Sequence, residues 1–222
     1  MKICVVTPYF ETDESWIRQG HASVRGQTIR AHHVLVCDGS TPAQIEPFQG
    51  THILLQRNYK DYGNTPRLIG CYNAINQGAE AIAFLDGDNW FQPDHLEGLV
   101  RFAQDNQLDA CSSGRTLHRP DGSFMVKCPT VNGRPLIDTS CLLVMKPAFQ
   151  HLVAWVLFGQ EEAAVMDQHM WNHMKRAGAR LGFLDKATVS YRTRHASHYR
   201  LIGETPPADA IDRPDTHGEN YR

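Results

Sequence analysis

No two of the six cysteines (Cys4, Cys37, Cys71, Cys111, Cys128 and Cys141) stand in a Cys-x-x-Cys pair, so neither a zinc knuckle nor a dithiol redox centre is encoded. Four of them lie in apolar runs that read as strands, the pattern of buried free thiols in a reducing compartment. Long hydrophobic runs are missing too. The longest near the middle, Leu152 to Phe158, falls far short of the ~20 residues a membrane span needs. The opening MKICVVTPYF has too short an apolar run for a secretory signal. A soluble, cytoplasmic protein without a transmembrane segment is therefore expected. Charge of one sign is absent as well: 22 Lys and Arg against 24 Asp and Glu leave −2, which argues against a general nucleic-acid binder. No internal repeat is present, and 17 Gly and 12 Pro in 222 residues exclude collagen-like and low-complexity chains.

What remains is an ordinary globular composition, 41% apolar and 21% charged, in a chain long enough to fold without a metal or disulfide staple. The near-zero charge hides an asymmetry. Residues 80 to 109 carry seven acids against Arg101 alone, and residues 175 to 200 carry seven Lys and Arg against Asp185 alone. Such stretches can face a metal and an anionic substrate, or form two solvated faces.

Ile3 to Thr7, His33 to Cys37, Ile53 to Gln56 and Ala81 to Leu85 are short apolar runs without polar alternation, each followed by turn residues. Helical patterns follow from about Thr12, with Ile17 and Val24 inward, from Asn64-Thr65-Pro66, which supplies a cap and a first-turn Pro, to Gln77, and from Pro93. Four strand–helix alternations of this kind predict a parallel sheet covered on both faces. The rhythm then breaks. Ala110 to Leu117 and Ser123 to Cys128 read as a hairpin across Pro120-Asp121-Gly122, and Thr139 to Met145 as a further strand. A helix carrying Met166, Met170, Met174 and Ala177 ends at Gly178, before strands near Leu181 to Leu184 and Thr188 to Tyr191. The expectation is an α/β fold, a doubly wound mixed sheet in one domain over residues 1–202. Residues 1–109 would form one half and 110–202 the other. Residues 203–222, rich in Pro and Asp, read as a loosely held extension.

Ligands of open α/β sheets bind beyond the carboxyl ends of the strands. Asp38, Asp86 and Asp88 stand there. Asp86-Gly87-Asp88 sets two carboxylates two residues apart, with Gly giving the turn freedom, so both can converge on one hard divalent cation; an ordinary Asp-Gly turn is the plainer reading.

Several motifs in order strengthen the first reading. Val5-Val6-Thr7-Pro8, Ser23-Val24 with Gln27-Thr28, Val34 to Asp38-Gly39, and Ala83-Phe84-Leu85-Asp86-Gly87-Asp88 resemble the nucleotide-binding half of a family 2-type glycosyltransferase with the GT-A fold. Val165-Met166-Asp167-Gln168 resembles the family's "ED" segment, and Tyr191-Arg192-Thr193-Arg194-His195-Ala196-Ser197 its closing segment. The resemblance implies an inverting, metal-dependent transfer from a nucleoside diphosphate sugar, most often a UDP-sugar, to a hydroxyl of a glycan or glycoconjugate. By that resemblance Thr7 and Pro8 line the nucleobase pocket, and Asp38 bonds the base. Asp86 reaches the ribose or a metal-bound water, and Asp88 ligates Mn²⁺ or Mg²⁺ on the diphosphate. Asp167 is the catalytic base, and His195 a further ligand or diphosphate contact. Two positions depart from the pattern. Only Arg67 could serve for the family's Arg-Asn pair, and the Glu of "ED" is Met166.

Other constellations carry less. His169 and His173 have zinc spacing, but Met170 stands where a metalloprotease helix needs Glu. Trp90 or Phe91 could stack on a sugar, or simply pack the start of the next helix. Arg192, Arg194 and Arg200 could meet a diphosphate. A loop over Gly159 to Ala164 offers Glu161 or Glu162 as a reserve base. Two alternatives to the transferase stand. A nucleotidyltransferase lacks its Gly-rich, basic phosphate loop after the first strand. A non-catalytic nucleotide- or sugar-binding module would account for the two departures.

Overall fold

The computed structural model describes residues 1–44, 48–133 and 136–212. Four parallel strands come first in space: β1 (Ile3–Tyr9), β2 (Ala31–Cys37), β3 (Gly50–Leu54) and β4 (Ala81–Phe84). With β5 (Trp90–Phe91), β6 (Ala110–His118), β7 (Phe124–Lys127), β8 (Leu142–Met145) and β9 (Leu181–Arg192) they form one sheet ordered β3-β2-β1-β4-β8-β6-β9-β5, with β7 paired to β6. β8 is antiparallel to both β4 and β6, and β9 is parallel to β6. The carboxyl ends of β1, β2, β4, β6 and β9 therefore share one edge of the sheet with the amino end of β8.

Helices cover both faces. α1 (Glu14–Arg25) and α3 (His95–Asp105) bury Val24, Leu96, Leu99 and Ala103 on one face against Val5, Ala83 and Leu143. α2 (Asn64–Asn76), α4 (Met166–Arg176) and a run of 3₁₀ turns over Lys146–Val156 bury Leu68, Trp155, Met170 and Met174 on the other, against Val6, Ile82 and Val144. The methionine stripe of α4 is thus core, as its 4-residue spacing along one helix face requires. A short α5 (Ala196–Leu201) follows β9. All six cysteines are free and buried.

Packing explains one glycine by space alone. A Cβ at Gly70 of α2 would stand 2.4 Å from Val6 Cγ1, so the helix lies this close to β1 only without a side chain there.

Several local expectations need correction. β3 starts at Gly50, ahead of the apolar residues, because it is an edge strand and its half-buried polar residues pair with β2 from His33 onward. Asn64 does not cap α2; Gly63 occupies the cap in the left-handed region, and Asp61 Oδ2 takes the Thr65 N–H at 2.8 Å. Thr139–Cys141 is a 3₁₀ turn capped by Asp138 before β8 starts at Leu142. The two last strands are one, β9, with register shifts opposite Gly114. From Gly203 the chain is held as far as Asp212: Ile211 pairs with His195, and Arg200 donates to both Asp212 carboxylate oxygens at 2.9 and 2.7 Å. Residues 213–222 of the expected extension lie outside the described residues.

Candidate functional site

The shared edge holds a cavity of about 350 Å³. Asp86 from just beyond β4, Arg67 from α2, Asp138 from the loop before β8, Asp167 from the first turn of α4, Tyr191 from the end of β9 and His195 at the cap of α5 all line it. Of the residues expected from sequence, the structure brings Arg67, Asp86, Asp167 and His195 together around one space. Asp88 lies across the Asp86 turn, outside the lining.

Asp86 is fixed by three hydrogen bonds. Arg67 Nη2 donates to Asp86 Oδ1 at 2.8 Å, Ser140 Oγ reaches Asp86 Oδ2 at 3.4 Å, and the Asp86 N–H donates to the same Ser140 hydroxyl at 3.1 Å. Arg67 in turn donates to Asn64 Oδ1 at 2.8 Å and lies 4.6 Å over the Trp155 ring. Arg and Asn are therefore present as a hydrogen-bonded pair three residues apart, one helical turn, rather than as sequence neighbours. Gly87 departs from expectation in its reason. Its φ is not positive; a Cβ would stand 2.9 Å from Ile17 Cδ1, so what the turn needs there is close approach to α1.

Burial and the neighbouring Asp86 charge push the Asp88 carboxyl up to about 7. Asp167 is also raised to about 7, by burial first and then by the Asp138 and Asp86 charges. Its carboxylate accepts the Gln168 N–H at 2.8 Å and the Thr139 hydroxyl at 3.4 Å. Poised near neutrality and open to the cavity, it has the properties of a general base. The reserve candidates do not compete: Glu161 and Glu162 do not line the cavity, and Glu162 sits 3.6 Å from His169.

Two buried charges were not singled out from sequence. Arg115, on β6, donates to Asp138 and lies 4.0 Å from the centroid of Tyr191. Burial pushes the Asp138 carboxyl up against the pull of Arg115. An Arg inside a strand read as buried was the available signal, since such a charge requires a partner acid. Ser140 had no comparable signal.

Three further residues expected at the nucleotide, Thr7, Pro8 and Asp38, lie outside this cavity. The Thr7 hydroxyl is buried and bonded to His33 Nε2 at 2.8 Å, Pro8 packs against Gly63, and Asp38 accepts the Tyr59 N–H at 3.2 Å. Trp90 meets His118 edge to face with ring centroids 4.6 Å apart and has the Arg192 guanidinium 4.8 Å from its ring, and Trp155 is core. The acidic and basic stretches meet at the surface, through Arg180–Asp109 and Lys186–Asp94.

Asp86 and Asp88 supply hard oxygen donors whose mutual repulsion a divalent cation would relieve, so the donor chemistry fits Mn²⁺ or Mg²⁺. Among the described residues no three His, Cys, Asp or Glu side chains converge on one point. A metal held here would complete its shell with water and phosphate oxygens, the usual habit of Mg²⁺.

A mixed sheet with helices on both faces and acids gathered at its carboxyl edge is the GT-A architecture. The chain belongs to glycosyl transferase family 2, whose model matches residues 4–154. It is 32% identical over 166 residues to the succinoglycan biosynthesis protein ExoW of Rhizobium meliloti (strain 1021), covering 68% of this chain and 50% of that protein. The chain thus spans about half the length of that relative. Among solved structures it resembles S. aureus TarS 1–349 in complex with UDP, with a TM-score of 0.68 and 17% identity over 91% of this chain and 63% of that one. TarS 1–349 in complex with UDP-GlcNAc gives 0.63 at 17% identity, over 90% and 61%. At this identity the likeness establishes the fold. Among the described residues no helix is long and apolar enough to cross a membrane.

Proposed function

We propose that the chain transfers a sugar from a nucleoside diphosphate sugar to a hydroxyl of a glycan or glycoconjugate, with inversion at the anomeric carbon and with a divalent metal. The observation that carries this reading is the placement of Asp167, raised to about 7, and Asp86 on the walls of one cavity. Asp167 takes the proton of the attacking hydroxyl. Arg67 and Ser140 hold Asp86 toward the donor, and His195 offers a further contact to the diphosphate. Asp88 with Asp86 would hold Mn²⁺ or Mg²⁺, which supplies positive charge to the leaving diphosphate when bound. One base with no second carboxylate assigned as nucleophile favours single displacement, hence inversion. A UDP-sugar is the first donor to try, given the bound ligands of the two TarS structures.

The test is product analysis with UDP-, GDP- and dTDP-sugars, Mn²⁺ and a panel of oligosaccharide acceptors. Free nucleoside diphosphate and a lengthened acceptor are expected. Pyrophosphate would mark a nucleotidyltransferase, and nucleotide binding with no product from any pair would mark a binding module.

A further inference from the structure

Arg192 belongs to neither the cavity nor the solvent. Its guanidinium lies between two indoles, 4.6 Å from the Trp16 ring and 4.8 Å from the Trp90 ring. Each of its three side-chain nitrogens donates a hydrogen bond. Nη1 donates to the backbone carbonyl of Asp88 at 2.5 Å, Nε to the carbonyl of Pro120 at 3.0 Å, and Nη2 to Gln19 Oε1 at 2.7 Å. Its backbone N–H donates to Asn89 Oδ1 at 2.9 Å. Asn89 is itself buried and donates to Ser140 Oγ at 3.0 Å, the hydroxyl that also holds Asp86. One residue at the end of β9 thus joins α1, the Asp86–Asn89 turn and the β6–β7 turn.

We propose that Arg192 is a positioning residue for the metal-bearing turn: its fork, held beside Trp16 and Trp90, sets the main chain at Asp88 through its bond to the Asp88 carbonyl, and so the direction of the Asp88 carboxylate. The inference rests on the donor reading above. The geometry requires Arg rather than a charge in general. A planar fork reaches three acceptors in fixed directions while lying over two indole rings, whereas a Lys ammonium has neither plane nor span. Charge-assisted bonds to carbonyl oxygens are about twice as strong as neutral ones, and burial of Arg192 beside two indoles excludes the water that would compete for them. A turn carrying two like charges resists closing onto one ion, so an external brace on its backbone is where preorganisation can be supplied.

The test compares the parent with Arg192→Lys and, as a milder variant, Trp16→Leu. Binding of UDP is measured with and without Mn²⁺, and hydrogen exchange is followed at amides 86–90. Arg192→Lys is expected to keep a cooperative unfolding transition and the metal-free UDP affinity, to weaken Mn²⁺-dependent UDP binding at least tenfold, and to speed exchange across the turn. Trp16→Leu should act in the same direction by a few-fold. In an Asp88→Ala background Arg192→Lys should change UDP affinity no further. A tenfold loss that appears equally without Mn²⁺, or that adds fully to Asp88→Ala, would overturn the inference. So would unchanged exchange at 86–90. That last readout needs no metal, so it separates failure of the brace from failure of the donor reading, which would show as a parent blind to Mn²⁺.

Discussion

Asp167→Asn will lower sugar transfer on the order of 10³-fold while leaving nucleotide affinity within about twofold of the parent, the usual loss on removing a general base. The Asn side chain keeps the shape of the carboxylate and can still meet the Gln168 N–H, so α4 should not shift. It cannot accept the proton of the attacking hydroxyl. The parent should show a pH–rate limb whose direction follows from the shift. Asp167 is raised to about 7, so the active carboxylate form is scarce at pH 6 and dominant at pH 8, and the rate rises with pH through that range. The residual activity of Asp167→Asn should lack that limb. Initial rates from pH 5.5 to 9 under saturating donor check both points. A variant with near-parental turnover would move the role of base to another group on the cavity wall.

Asp88→Ala should abolish the proposed metal-dependent nucleotide binding, reducing Mn²⁺-supported affinity to the metal-free level. The companion Asp88→Asn should raise the melting temperature by a few degrees at pH 8 when no metal is present. The sign follows from linkage. The Asp88 carboxyl is raised to about 7 in the folded chain, so the native state binds the proton more tightly than the unfolded chain does. Stability contributed by this group is then fullest at low pH and falls as pH climbs from the ordinary carboxylate range through 7. Replacing the acid by a neutral amide removes that loss at pH 8, and the gain should vanish near pH 4. Melting curves at both values, with and without Mn²⁺, decide the matter. A variant less stable than the parent at pH 8 without metal would show that the Asp88 charge is compensated in the fold. Stabilisation by removing a charged site residue is the ordinary trade between stability and function.

The parts of this site legible in the sequence are those set by short-range rules. A buried strand ending in Asp-Gly-Asp puts Asp86 and Asp88 at the carboxyl edge wherever the strand lies in the sheet. Asp167 was legible as a first-turn acid and gained a role only through the order of motifs around it. What escaped depends on register. Arg115 finds Asp138 because β6 and β8 pair antiparallel, and no spacing in the chain announces that contact. Arg192 read as one basic residue among several, since its partner Gln19 is 173 positions away. Thr7 stands on the expected strand, but the pleat turns its hydroxyl to His33 and away from the cavity. Gly87 was assigned to backbone freedom when its reason is the nearness of Ile17, a fact about α1 packing that the turn sequence does not contain.

The central claim is that Asp86 and Asp88 form a metal-dependent site for a nucleoside diphosphate, and calorimetric titration of UDP into the parent chain with and without Mn²⁺ tests it most directly. Affinity at least tenfold higher with Mn²⁺, lost on adding excess chelator, is the expected result. Equal affinity in the two conditions, with GDP and dTDP behaving alike, would contradict it.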